Sequence, residues 1–326
     1  MKRRDFIAFL GSVAIAAPCR ALAQTDKVYR LGSLISGPPM LPAEGRGAVL
    51  IGELAKHGYK LGQNLAYEAR GAKGNVAMVP QLMLELVAAK VDAVVTVGYP
   101  SAAAAKTSGL PTVIALGSGD PVKTGLVQSL SHPGGSVTGI ADDSAALSTK
   151  RLSLLKAMSP PLRKVAMLWN RNDLGMTQRY DASAQAAREL GVAVLALGVR
   201  EPDDFNGAFE TMDREKPEAI LMVSDSLTVL NRKRVIDYAA KHRLLAIYEA
   251  DTIVRDGGLM SYGADERESF SRAAALVDRI FKGAKPAELP VEQPTRYLFV
   301  LNLKTARAMN LDVPNTLAAL ADQVIE

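Results

Sequence analysis

The chain has 326 residues, 48% of them hydrophobic and 5% aromatic, one cysteine, and a formal net charge of +5. That length exceeds a comfortable single core and implies two domains. A lone cysteine excludes a disulfide framework and a four-thiolate zinc site.

The first residues have the grammar of an export signal. Lys2, Arg3 and Arg4 precede an apolar run from Phe6 to Ala17, and Ala21-Leu22-Ala23 puts small residues at the −3 and −1 positions before Gln24. The run falls short of the roughly 20 apolar residues that span a bilayer. Arg3-Arg4 followed by Phe6-Ile7 resembles a twin-arginine signal, and a plain secretory signal is the alternative. Pro18 ahead of Cys19 speaks against lipid attachment. Cleavage after Ala23 removes Cys19. It also removes Lys2, Arg3, Arg4 and Arg20 against Asp5, a net +3 of the +5. The small remaining charge is no nucleic-acid signature, and no later stretch is apolar and long enough to cross a membrane. The expectation is a product exported to the periplasm without residues 1–23.

Short β-branched runs then alternate with longer amphipathic segments. The pattern predicts a strand over 28–35, a helix over 44–57 capped by Gly58, a strand over 64–70 and a helix over 76–90. A buried strand over 91–97 (VDAVVTV), an alanine-rich helix over 101–107 and a strand over 112–116 follow. A loop crowded with glycine, proline and serine, GSGDPVKTGLVQSLSHPGGSVTGI, occupies 117–140. The series then restarts. Helices are predicted over 145–158, 177–190, 203–215 and 227–242, with strands over 164–169, 192–197, 218–223 and 244–248. After GGLMSYG (257–263) come a helix over 266–282, a proline-rich extended stretch, a strand over 297–301 and a helix over 304–309. This alternation implies an α/β fold with parallel sheets and right-handed crossovers. The division expected is 24–140 for the first lobe, 141–263 for the second, and 264–326 for a returning segment that partly completes the first. Several crossings between lobes make a hinge.

Catalytic sets are absent. HExxH, GxSxG, GxxxxGK[ST] and GxGxxG motifs are missing, and His57, His132 and His242 read as cap or loop residues. Asp142-Asp143 reads as a solvated helix start. No cofactor, metal or nucleic-acid partner is expected. In open α/β sheets ligands bind at the carboxyl ends of strands. Those ends carry Ser36 and Gly37, Tyr99 and Ser101, Gly117, Ser118 and Asp120, Trp169 and Asn170, Ser224 and Asp225, and Tyr248 and Glu249. Bland readings stand beside these. Ser101 and Asp225 suit helix N-caps, Trp169 suits a core, and Tyr99 before Pro100 suits a turn.

Four stretches carry a resemblance: GDPVKTGLVQSLSHPGGSVTGI (119–140), GGLMSYG (257–263), DRIFKGAKPAELPVEQPTRYLFVLNLKTARAMNLDVP (278–314) and ADQVIE (321–326). Together they resemble the ABC-transporter substrate-binding proteins of the tryptophan/phenylalanine-binding-like group, over essentially the whole mature chain. The resemblance implies a type I periplasmic-binding-protein fold of two Rossmann-like domains. A small molecule would be held in the cleft and delivered to an ABC permease by a monomeric receptor. It further implies that serine-bearing strand ends hold a carboxylate and that Asp225 meets an ammonium. The stretch SGPPMLPAEGRG (36–47) is more apolar than an amino-acid binder suggests, so an aromatic acid or another carboxylate fits equally. A sensor presenting its ligand to a signalling partner would have the same fold. An exported enzyme would need a catalytic set that the sequence lacks.

Overall fold

The computed structural model describes residues 27–141 and 143–326. The expected export segment 1–23, its expected cleavage point and Asp142 lie outside the described residues. The first sheet is built from β1 (Tyr29–Ile35), α1 (Gly45–Lys56), β2 (Leu65–Gly71), α2 (Val79–Ala88), β3 (Ala93–Val97), α3 (Tyr99–Ser108), β4 (Thr112–Leu116) and β5 (Val137–Gly139). Its five strands run parallel in the order β2-β1-β3-β4-β5. Every residue of β3, AVVTV, is buried. A strand covered by helices on both faces has no solvent side, so it can be apolar throughout.

The second sheet follows from α4 (Ser144–Met158), β6 (Lys164–Asn170), α5 (Leu174–Glu189), β7 (Ala193–Val199), α6 (Asp204–Glu215), β8 (Ala219–Met222), α7 (Ser226–Leu230), α8 (Arg232–His242), β9 (Leu245–Tyr248), α9 (Asp251–Arg255) and β10 (Met260–Ala264). Then come α10 (Glu266–Phe281), β11 (Tyr297–Asn302), α11 (Leu303–Ala308), α12 (Asn315–Ala318) and β12 (Gln323–Ile325). Seven strands lie in the order β12-β11-β10-β9-β8-β6-β7, and β11 pairs antiparallel with β10.

One element leaves its sequence neighbours. The apolar face of α10, with Phe270, Ala273, Ala274 and Val277, packs on Leu31, Leu50 and Val95 of the first lobe. Tyr59 Oη beneath it donates to Asp278 Oδ1 at 2.9 Å. Strand β11 then returns to the second sheet. The chain therefore passes between the lobes three times, near 140–143, at 264–265 and over 286–296. Two passages are laced together. The Glu292 amide donates to Gly139 O and the Ala141 amide to Glu292 O, both at 2.8 Å. Crossings tied side by side restrict the lobes to a bending motion.

Local differences from the sequence expectation have local causes. The helix expected over 227–242 divides at Asn231, whose Nδ2 donates to Leu227 O at 3.0 Å. Such a side chain competes with the helix's own hydrogen bonds. Strand β10 begins within the GGLMSYG stretch, where three glycines hide a largely buried strand. Strands of three residues such as β5 and β12 are too short for a periodicity to register.

Candidate binding site

The carboxyl ends of β1, β3 and β4 face those of β6, β8 and β9 across a cavity of about 230 Å³ between the lobes. The first lobe supplies Ser36 and Gly37 after β1, Gly98 and Pro100 at the start of α3, and Gly117 after β4. The Ser36 side chain is 5% exposed and its Oγ has no hydrogen-bond partner. Gly98 is the N-cap of α3 and Pro100 lies in its first turn. The positive end of that helix dipole therefore opens on the cavity, where an anion is favoured. Ile35, Val97, Leu116, Leu147, Met176 and Val229 supply apolar wall.

The second lobe supplies most of the charge. Asp173 is the N-cap of α5, and its Oδ1 accepts from the Met176 amide at 3.2 Å. Burial, and then the nearby Asp225 carboxylate, push the Asp173 carboxyl up to about 7. Asp225 is the N-cap of α7. Its Oδ1 accepts from the Thr228 amide at 2.9 Å and its Oδ2 from Asn170 Nδ2 at 2.6 Å. Burial raises this carboxyl too, against the pull of those bonds. Behind them Glu249 accepts from Arg151 Nη1 at 2.8 Å, from Arg179 Nη1 and from the Ser224 amide at 3.0 Å. Burial alone would raise Glu249, but the two guanidinium groups outweigh it and hold the carboxyl below its ordinary range. A second pair closes the first-lobe side. Arg46 Nε and Nη2 grip Glu266 at 2.7 and 2.6 Å, and Glu266 pushes the Arg46 guanidinium up.

The lobes touch at the rim. A Cβ on Gly175 would lie 2.7 Å from Ser118 O, and one on Gly119 would lie 2.8 Å from Gly175 Cα. The Asp120 amide donates to Gln178 Oε1 at 3.1 Å, and Gly37 approaches Ser226 Oγ. Gly117 and Gly119 have φ of +79° and +71°, a left-handed region that glycine occupies without a Cβ penalty. These turns bring the GSGDP backbone against α5.

Of the candidates at strand ends, Ser36, Gly37, Gly117, Ser224, Asp225 and Glu249 line the cavity. The others stand elsewhere. Trp169 stacks on Tyr180 with ring centroids 3.7 Å apart. Tyr248 is fully buried, and burial raises its phenol. Tyr99 packs beside Ile114 and Leu126. Ser101 is buried in the first turns of α3 with its Oγ unpartnered, and the N-cap is Gly98 instead. Asn170 holds Asp225 from behind. Ser118 serves the rim through its carbonyl. Asp120 caps a turn at the Val122 and Lys123 amides and borders a larger depression of about 560 Å³. That depression, although larger, meets none of the other candidates. The cavity at the strand ends is therefore the better candidate for a ligand site.

Sequence reasoning missed Arg46, Arg151, Asp173, Arg179 and Glu266. The three arginines sit on helices and read as solvated faces. Asp173 followed by a helical run was a legible N-cap signal, though not a legible ligand group.

The model of the ABC transporter substrate binding protein family matches residues 33–325. The chain belongs to this family. A tyrosine-binding protein of Clostridioides difficile is 25% identical over 79% of this chain and 74% of its own length. Two solved structures are similar in fold. A conserved domain protein from Vibrio cholerae has a TM-score of 0.85 at 23% identity, covering 91% of this chain and 100% of its own. A domain from Streptococcus pneumoniae in complex with L-Trp has a TM-score of 0.83 at 24% identity, covering 91% and 99%. As a substrate-binding protein of an ABC transporter the chain works on the outer side of the cytoplasmic membrane, and its fold is the two-domain type I periplasmic-binding-protein fold.

Proposed function

We propose that this substrate-binding protein captures an α-amino acid with an apolar or aromatic side chain and delivers it to an ABC permease. The single observation behind this reading is the polarity of one small cavity. Unpartnered Ser36 and the amino end of α3 stand on its first-lobe side, Asp225 on its second-lobe side, and apolar wall lies between them. A carboxylate suits the first pole, an ammonium suits the second, and a hydrocarbon or ring suits the wall. About 230 Å³ lies below the usual range for ligand pockets, roughly 300–1,000 Å³. That favours a ligand of amino-acid size over a larger conjugate. What relatives bind supports the same class, since one is called tyrosine-binding and another holds L-Trp.

Under this reading residues 24–140, completed by α10, form the first lobe, and 141–263 with the later strands form the second. The mature protein is a monomer that begins at Gln24 after export, by the twin-arginine route. Calorimetry against L-tyrosine, L-tryptophan and L-phenylalanine, with benzoate as a carboxylate without an ammonium, tests the ligand class. Binding of an amino acid and not of benzoate is expected. Preference for benzoate would replace the amino-acid reading by an aromatic-acid one.

A further inference from the structure

The two poles leave one charged pair of the cavity unused. Arg46, in the first turn of α1, and Glu266, the first residue of α10, both line it. Arg46 Nε and Nη2 are committed to the two Glu266 oxygens, but Arg46 Nη1 has no acceptor among the described residues. Each Glu266 oxygen accepts one bond from Arg46 and has a lone pair left for another. Burial alone would raise the Glu266 carboxyl, but Arg46 outweighs it and lowers it. Glu266 and, more weakly, Asp251 at the start of α9 in the other lobe push the guanidinium up.

This pair stands across the first sheet from the carboxylate pole. Leu31, Ile35 and Val95 face α1 and α10, whereas Leu34 and Val94 face α2 and α3. The pleat sends alternate residues to opposite faces. The amino end of α3 therefore meets the cavity from one face of the sheet, and Arg46 with Glu266 meets it from the other. Apolar Ile35, Val97 and Leu116, at the ends of β1, β3 and β4, line it between them.

We infer that Arg46 and Glu266 read a hydroxyl at the far end of the ligand's side chain, so that the cleft selects a phenolic amino acid over its unsubstituted counterpart. This rests on the amino-acid reading of the cavity and narrows it to one kind of side chain. A charged group is disfavoured at this end. A carboxylate that accepts from Arg46 also meets Glu266 and Asp251, and an ammonium that meets Glu266 also meets Arg46. A hydroxyl accepts from Arg46 Nη1 and donates to a Glu266 oxygen, and it brings no charge of its own. An indole N–H can only donate, and a phenyl ring does neither. The other arginines of the cavity are drawn off. Arg151 and Arg179 converge on Glu249, and Arg232 is held by Asp256 and Val229 O.

The test is calorimetry of L-tyrosine, L-phenylalanine and para-fluoro-L-phenylalanine. The fluoro compound extends the ring without an O–H. A site whose polar groups are built for a hydroxyl rejects the analogue that lacks it. Tyrosine should bind roughly ten- to a hundredfold more tightly than either analogue, the range of a hydrogen bond to a charged group. Arg46→Met combined with Glu266→Gln removes both charges together and strands neither. This variant should lose the preference, with tyrosine affinity falling by the larger factor. A merely structural role would weaken all three ligands by the same factor, and a preference retained in the variant would overturn the inference. The ligand series on the wild type decides the matter where the variant does not fold. Equal binding of tyrosine and phenylalanine there would overturn the inference and leave the amino-acid reading standing. If no amino acid binds, that reading fails, and para-hydroxybenzoate against benzoate decides the hydroxyl site. Tighter binding of the hydroxy acid supports it, and equal binding or none overturns it.

Discussion

Glu249 lines the cavity and at the same time holds the charges around it in place. It is 8% exposed and gathers Arg151, Arg179 and the Ser224 amide. Breaking a buried ion pair from one side leaves an uncompensated charge, at about 3–5 kcal/mol. Glu249→Ala should therefore lower unfolding stability by that order, read as a shift of the urea midpoint at constant slope. An unchanged midpoint would mean that water reaches the two arginines. The pH sign follows from the depressed carboxyl. Its contribution is present above the ordinary glutamate range and disappears as pH falls through the lower folded value, so the variant and the wild type should converge in acid. Asp225, which lines the cavity, is the proposed partner of the ligand's ammonium. Asp225→Asn preserves the cap and removes the charge, and losing one partner of a desolvated charge pair costs about 2–5 kcal/mol. An amino acid should bind roughly 30-fold more weakly or worse. Ser36→Ala, which removes one hydroxyl, should cost about 1 kcal/mol. Equal losses in the two variants, measured by calorimetry, would contradict the assignment of poles.

At the scale of elements, the contact between the GSGDP loop and the start of α5 is what the lobes make only when they approach. Gly175 lies in α5, and a methyl there would sit 2.7 Å from Ser118 O across the rim. Within its own lobe an alanine is compatible with a helix and improves on glycine by about 0.5–1 kcal/mol. Gly175→Ala should thus leave the unliganded melting temperature no lower than wild type. It should nevertheless weaken ligand binding, because overpacking costs about 1–3 kcal/mol in the closed form alone. A loss of about tenfold in affinity is expected, at 1.4 kcal/mol per decade. Full affinity in this variant would show that the rim contact is dispensable for closure.

For the whole molecule, the laced crossings at Gly139–Ala141 and Glu292 leave bending as the motion open to two otherwise separate cores. The contacts at Gly37, Gly119 and Gly175 describe a cleft that has shut. A ligand that touches both lobes favours this arrangement by the contacts it makes only there. Small-angle scattering should give a smaller radius of gyration with saturating amino acid than without. The curve with ligand should match this structure. Identical curves in the two states would rule out closure as the mode of capture.

The sequence by itself determined the α/β alternation and a fold of two lobes, and it named the strand ends from which cavity residues could come. Those are consequences of local pattern: periodicity sets the elements, and parallel strands put their carboxyl ends on one edge. Only the tertiary structure decided which of those ends meet a cavity. Trp169 and Tyr248 sit at strand ends as promising as any, yet one stacks on Tyr180 and the other is buried whole, because the pleat turns each toward a helix layer. Arg151 and Arg179 gave the opposite surprise. On their helices they look solvated, but Glu249 draws both inward over separations of 98 and 70 residues. A charge is buried only where its partner is also placed, and that placement belongs to the folded chain rather than to any segment of it.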